Sequence, residues 1–547
     1  MKENARKIKW REVVGNSLKY VLLVVVVAII ALVGNYIFLP AWSVHSVGMW
    51  IFIIVILLVV AFGGWIVTYD EYEDKPILKI LVLVVVALIV GMLLMFFFSG
   101  PMFNAEKYRH RVTIEEGDFS SEVVAIGEKL SVVDRATAEK LGDRTIAKVK
   151  NSTWYDVDNE YNLIKYQGEY YRISPLNYGG LSKFVKAKSY GIPGYVLVNC
   201  QTQEATFIEL DNPYRYSPSG YWGLDLKRHV HNQYPNLVLG TTFFEIDEEG
   251  NPYWIISVKE ATVGLWSNRV ERWFIIVDAV SGESCLYETV ELPEWVDHAF
   301  GVEYLMDAVT DNLAYVNGFW NSVFSKTGVQ KLSYNYRDSD FAGYTTTVTA
   351  DGEVVFFTAV TPANKAESIL GFVQLNPRTG EVKFFSVSGA EESSAQAAAQ
   401  SLTQNYGYVA NYPTVINVNG IPTYFMMLKD SAGLVQRYSL VNVENYTIAV
   451  EDTTLNSAMA KYLGKVSPED LPVQETKRKT GIIENLYEAQ IDGYTYYYFT
   501  LNGEDSLYMS SITNSNRQVM LETGTKVTIE YVESNETGVF MVTKISF

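Results

Sequence analysis

Apolar and polar positions follow two different rhythms along this chain. Over the first hundred residues they form three nearly uninterrupted apolar runs, Tyr20–Leu39, Val47–Tyr69 and Ile77–Ser99, each the ~20 residues needed to cross a bilayer as a helix. No ionisable side chain falls in the middle of a run, so three transmembrane helices are predicted within 20–100, behind a basic tail at 1–19. The first run is too long for the core of a cleavable signal and ends in LPAWSVHS, without a small-x-small site. A transport path would need inward carboxylates, histidines or broken helices. The runs offer none, Gly63, Gly64 and Gly91 suit close helix packing, and the spans read as an anchor.

Beyond Gly100 the rhythm shortens to brief alternating runs broken by Gly, Asn and Asp, which predicts strands joined by tight turns. Residues 101–132 are mixed in character and predict a stalk or first strand, and Val133–Arg144, opened by Asp134 and rich in Ala, predicts a short helix. A hairpin pattern then recurs at Gly194–Leu210, Arg272–Val290 and Gly371–Val387, and more weakly at Arg437–Asp452. Asn199, Asp278 and Asn376 take equivalent places in it, as do Glu204, Glu283 and Glu381. An Asn or Asp side chain can bond the backbone two residues on, and Gly reaches positive φ, so the turn is chemically specified.

What precedes the hairpins recurs as well. Helical stretches at Leu224–Tyr234, Val302–Asn317 and Ser393–Gly407 are followed by strand pairs at Phe244–Val258, Val348–Val360 and Thr414–Leu428. The implied unit is a helix and about four antiparallel strands, two units falling in 133–292 and two in 293–464. A polar linker, 465–480, leads to five or six short alternating segments in 481–547, which predict a small β-barrel; Gly524–Tyr531 reads like the penultimate strand region of an OB barrel.

The A-x-x-A spacing of Ala395 and Ala398, together with NPYWIISV (Asn251–Val258), IIVDAVSGE (Ile275–Glu283) and VQLNPRTGEV (Val373–Val382), resembles the PepSY-type domains of bacterial envelope and secreted proteins. The chain departs from that pattern at Gln203, where Gly is usual, at Asn445-Tyr446, and through insertions that stretch the spacing. The layout of three spans, tandem repeats and a terminal barrel is also similar to a group of bacterial membrane proteins labelled cell-shape or envelope proteins. The resemblance covers about 130–460 and implies a binding or inhibitory role. The expected fold class is therefore a membrane α-helical N-terminus of three transmembrane helices, an α+β ectodomain of tandem PepSY-like helix and antiparallel-sheet repeats, and a small C-terminal OB-like β-barrel.

Charge sets the expected sidedness. Lys2, Arg6, Lys7, Lys9, Arg11 and Lys19 precede the first span, whereas residues 40–46 carry no Lys or Arg, so the tail is expected in the cytoplasm. Three crossings then put the Asp70–Pro76 loop inside and everything after Gly100 outside, as a multi-pass cell-membrane protein. The net charge of -18 argues against a nucleic-acid partner, and 38 Tyr suit strands and recognition surfaces.

Candidate chemistry is sparse. Cys200 and Cys285 fall outside on this topology, where a disulfide is permitted and two free thiols are the alternative. His229 and His231 form an H-x-H pair, but KRHVHNQYP reads as a solvated helix end, where residues two apart diverge. There is no G-x-S-x-G, H-E-x-x-H or phosphate-loop motif, and the carboxylate groups at Asp247–Glu249 and Glu391–Glu392 suit turns. No catalytic residue, metal ligand or cofactor is predicted. Trp222, Trp254, Trp273, Trp295 and Trp320 are candidates for a ligand surface, against the commoner fate of strand aromatics as core. The expected function is a membrane-anchored, non-enzymatic scaffold or interaction protein of the cell envelope, its partners the bilayer and an envelope or membrane protein. A peptide- or glycan-binding or protease-inhibiting module and a wall-polymer enzyme are the alternatives, and self-association is left open.

Overall fold

A computed structural model of the chain describes residues 2–67, 76–125, 130–146, 151–333, 343–363, 368–466, 477–491, 494–504, 506–511, 518, 520–533 and 539–547. The expected inner loop at Asp70–Lys75 lies outside the described residues. The chain divides into two compact units, 1–462 and 463–547.

The apolar runs are helices: α1 (Lys2–Phe38), α2 (Val47–Val67) and α3 (Pro76–Ser99), with membrane-length apolar stretches at Leu18–Phe38, Val47–Val67 and Ile77–Ser99. The predicted basic tail is the first half of α1, since no proline interrupts it. A Cβ at Gly63 would stand 2.2 Å from Leu23 Cδ1, so α1 and α2 pack as closely as the glycine allows. The same end of all three helices meets the following body. Trp42 N–H donates to Pro235 O at 2.7 Å, and Trp266 Nε1 donates to Val44 O at 2.9 Å. The Trp266 ring packs on Trp50 and Phe96, with centroids 6.3 and 5.1 Å away. The start of α1 is therefore at the far end from the body.

Of the stalk or first strand expected at 101–132, the stalk is corrected and a strand is found among the described residues. These residues form α4 (Pro101–Arg109), a strand Ile114–Glu116 parallel to Val382–Phe385, and α5 (Phe119–Glu122), capped by Asp118. Val112, Val123 and Val124 are buried, and it is this apolar content that holds the segment on the body.

Four larger sheets follow among the described residues, antiparallel except where Ile114–Glu116 joins the third, and each is introduced by a helix: α6 (Arg135–Asp143) before strands within 155–214, α8 (Leu226–Gln233) before 239–288, α9 (Val302–Ala314) before 330–385, and α10 (Glu392–Leu402) before 409–452. A further short helix, α7 (Leu181–Ala187), interrupts the first sheet, and α11 (Leu455–Val466) follows the fourth. The repeated hairpins end in one turn geometry. Asn199, Asp278 and Asn376 each donate their N–H to Glu204, Glu283 and Glu381 O at 2.9 Å. Their side-chain oxygens accept from Gln201 and Thr202, Val280 and Ser281, and Arg378 and Thr379 N–H. Gly282 and Gly380 adopt φ of +79° and +76°, and Gln203 adopts the same left-handed region at +61° without the glycine.

The hydrophobic cores are shared between neighbours: one joins the first and second units, one the second and third, one the third and fourth. The fourth unit also meets the first. Lys429 pairs with Asp134, Lys140 Nζ donates to Ala432 O at 2.6 Å, and Gln203 Nε2 donates to Tyr438 Oη at 3.1 Å. The four units form neither a rod nor separate lobes; they close on one another.

In the second unit of the chain five strands, Lys477–Ile491, Tyr494–Leu501, Leu507–Ser511, Lys526–Glu533 and Val539–Ser546, close a barrel in the order first, second, third, fifth, fourth. The third and fifth pair in parallel. Two expectations change here. The linker ends at Lys477 rather than 480, because Lys477–Ile482 already pairs with Lys526–Tyr531, and the described part of QVMLE (Gln518–Glu522) is not a strand.

Candidate functional site

The closure of the four units leaves a cavity of about 1180 Å³ where all of them meet. Each unit contributes to the wall: Asp134 to Arg172 from the first, Thr241 to Trp254 from the second, Val302 to Phe356 from the third and Val409 to Gly433 from the fourth.

The rim begins at the N-terminus of α6. Asp134 caps that helix by accepting from Thr137 N–H at 2.9 Å and also meets Lys429 Nζ. Burial alone would raise the Asp134 carboxyl, but the Lys429 charge and the bonds from Lys429 and Thr137 outweigh it and hold the carboxyl below the usual range. Beside it Arg135 pairs with Glu160 at 3.0 Å across an exposed edge. Deeper in, Arg172 donates from Nε to Val133 O at 2.8 Å and from Nη1 to Tyr161 O at 3.1 Å, and its burial lowers its proton affinity. The arginine thus ties α6 to the first sheet from beneath.

At the opposite wall stands His298, packed between Phe243 and Phe356 with ring centroids 5.5 and 5.9 Å away. Its Nδ1 is 2.9 Å from Glu245 Oε1, and Glu245 accepts the N–H groups of Asp297 and His298 at 2.8 and 2.6 Å. Asp297 in turn accepts Lys165 N–H at 2.6 Å. Burial pushes Glu245 up to about 8, burial and the neighbouring Glu245 push Asp297 up to about 8, and burial pushes His298 down to about 4. The cluster spans three units, because Glu245 belongs to the second sheet, Lys165 to the first, and the following Ala299 and Phe300 both donate N–H to Pro377 O in the third at 2.9 and 2.8 Å. Its role in the wall is to pin a loop, Trp295–Phe300, against three sheets.

The arrangement is suited to recognition. Two of its ion pairs, Asp134 with Lys429 and Arg135 with Glu160, are formed within the wall, while the threonines Thr241, Thr242, Thr345 and Thr346 and the aromatic groups of Phe243, Trp254 and Tyr344 border open space. Among the described residues no group of three or more His, Cys, Asp or Glu is positioned to hold a metal ion.

The tryptophans do not make one ligand surface, which corrects that expectation. Only Trp254 borders the cavity, and it is itself core, with its Nε1 donating to Tyr216 O at 2.8 Å. Trp273 is half-buried against the same core and Trp295 packs on Tyr253 at 4.9 Å. Trp222 and Trp320 are exposed, the first against Phe184 and under Lys188, the second stacked on Phe324. The cysteines do not pair: Cys200 is buried at the end of a first-sheet strand and Cys285 is exposed on a second-sheet edge strand. His229 and His231 lie on α8 and diverge, His229 Nε2 bonding Gly282 O at 2.6 Å; His231 is buried, so the stretch is not the solvated helix end expected. Glu392 is likewise no turn carboxylate, being buried at the start of α10, where it accepts Ala359 N–H and Tyr412 O–H, both at 2.9 Å.

Sequence reasoning missed Glu245, Asp297, Asp134 and Lys429. One signal was present: Glu245 interrupts the apolar run Phe243–Ile246, where a charged residue on a buried strand demands partners.

No protein-family profile and no curated protein matches the chain. Among solved structures it is similar to the Trypanosoma rangeli sialidase in complex with the inhibitor DANA, at 9% identity and TM-score 0.15, covering 71% of this chain and 54% of that one. Against the same sialidase in complex with sialic acid the values are 9%, 0.13, 79% and 59%. The chain thus spans less than two thirds of those proteins, and at such TM-scores the likeness carries no argument.

Proposed function

We propose that this is a membrane-anchored, non-enzymatic interaction protein of the bacterial cell envelope, which holds a segment of a protein partner in the cavity where its four units meet. The carrying observation is that cavity. At about 1180 Å³ it is larger than most small-molecule sites, and its mixed charges, hydroxyls and aromatic faces match a polypeptide better than a uniform polymer. The pairing of its rim charges with one another favours a preformed recognition surface over proton transfer.

The body is read as extracytoplasmic. The basic stretch of α1 is at the far end from the body, and positive flanks stay in the cytoplasm. The four helix-plus-sheet units are read as PepSY-like, and the barrel, with its long first strand shared between the second and fourth and its parallel third and fifth, as OB-like.

The test is site-specific photocrosslinking from the full chain in its native membrane. A crosslinker at Val409, exposed at the cavity rim, is expected to capture a discrete envelope protein, and one at exposed Tyr190 is not. Equal capture from both positions, or none from Val409, would overturn the reading.

A further inference from the structure

Large apolar side chains on the surface of a folded body need a covering, and one group here sits where a covering is at hand. After α9 the chain turns through Phe319 and Trp320 into a short helical turn, Asn321–Ser325. Trp320, Val323 and Phe324 are 52%, 45% and 75% exposed, and the Trp320 and Phe324 rings stack at 5.7 Å and 11°.

Three sets of bonds fix the height of this turn relative to the end of α3. Tyr108 Oη donates to Ser99 O at 3.0 Å, and Asn104, whose backbone leaves the helical region, donates from Nδ2 to Phe98 O and Gly100 O at 2.8 and 3.2 Å. A helix running straight on would carry Tyr108 about 13.5 Å past Ser99, beyond the reach of its side chain. Helix α4 therefore lies across the end of α3, and its Phe103, 49% exposed, packs on Phe97 and Phe98 at 5.3 Å each. The end of α9 is bound to α4: Arg109 Nη1 donates to Val316 O at 3.0 Å, and Asn312 Nδ2 donates to Arg109 O and Val112 O at 3.0 and 3.1 Å. The aromatic turn begins three residues after Val316.

We infer that the Phe319–Phe324 turn, together with Phe103 of α4, inserts into the headgroup region of the bilayer leaflet that α3 exits, giving the body a second membrane contact. The occupant is lipid because the patch continues the exposed apolar surface of a membrane-spanning helix, and Trp belongs at that boundary. Lys326, exposed immediately after the turn, is suited to anionic headgroups. The inference is independent of what the cavity binds.

The experiment uses the full chain with Cys285→Ser, reconstituted in phosphatidylcholine–phosphatidylglycerol vesicles. Nitroxides are attached at Phe324→Cys and, for comparison, at Leu402→Cys on α10. The label at 324 is expected to collide more often with oxygen than with a water-soluble nickel chelate, and the label at 402 to show the reverse. Chelate access at 324 equal to that at 402 would overturn the proposal, as would shielding from both reagents, which would mean that protein covers the patch. Should Phe324→Cys fail to fold, Val323→Cys, also exposed, reports on the same turn.

Discussion

Glu245, Asp297 and His298 have proton affinities moved in opposite directions by the same burial, and this makes stability depend on pH in a defined way. For Glu245 and Asp297, with folded values near 8, the native state binds more protons than the unfolded chain above the ordinary carboxylate range, so their contribution is complete at low pH and is lost as pH rises towards 8. For His298, near 4 when folded, the sign is opposite: the contribution is present above the unfolded value of about 6.5 and is lost as pH falls through 4. Between pH 6.5 and 8 only the carboxyls act. The unfolding free energy of the full chain in detergent is therefore expected to fall over that window, by at most ~1.4 kcal/mol per pH unit per group, with the melting temperature falling in step, and Glu245→Gln is expected to flatten the fall. Calorimetry of both proteins at pH 6.5 and 8 decides; an equal slope would remove the cluster as its source.

At the scale of elements, the repeated hairpin supplies a matched pair of substitutions. Gly282 sits at φ +79° with a Cβ position 2.5 Å from the Tyr216 ring, so Gly282→Ala meets both strain and a clash and should cost about 2 kcal/mol. Gln203 holds the equivalent conformation already strained, so Gln203→Gly should gain up to ~1 kcal/mol, read by the denaturant midpoint. These hairpins were legible in the sequence because the chemistry of each turn is confined to six consecutive residues, from Asn199 to Glu204 or from Asp278 to Glu283. The helices α6, α8, α9 and α10 were legible for a similar local reason. The packing of 101–132 on the body was not, since the strand Ile114–Glu116 exists only by pairing with Val382–Phe385, far along the chain. Nor was the candidate site: Asp134 reads as a helix cap and Lys429 as a strand end, and nothing near either one points to the other.

The closure of the four units includes that pair, beside the bonds of Lys140 to Ala432 O and of Gln203 to Tyr438 Oη. Lys429 is largely buried, and removing it takes from the Asp134 carboxylate the cation that pairs with it directly, leaving Arg172 as a more distant charge. Lys429→Ala is expected to cost about 2 kcal/mol and to loosen the cavity, seen as faster backbone amide exchange in α6 and in the Ile421–Lys429 strand together. Exchange rising in the strand alone would show that the two ends of the body are not held by this contact. Because Asp134 is held below the usual carboxylate range, this contribution disappears on acidification, opposite in sense to that of Glu245.

The Asp134–Lys429 contact joins residues 295 positions apart. At a synthesis rate of about 5–20 residues per second, a nascent chain holds its first unit unclosed for roughly 15 to 60 seconds before the residue that completes the enclosure emerges. Throughout that interval the aromatic and hydroxyl groups destined for the interior face whatever surrounds the growing polypeptide. A factor that shelters this half-built surface during biogenesis would meet the same groups that line the finished cavity.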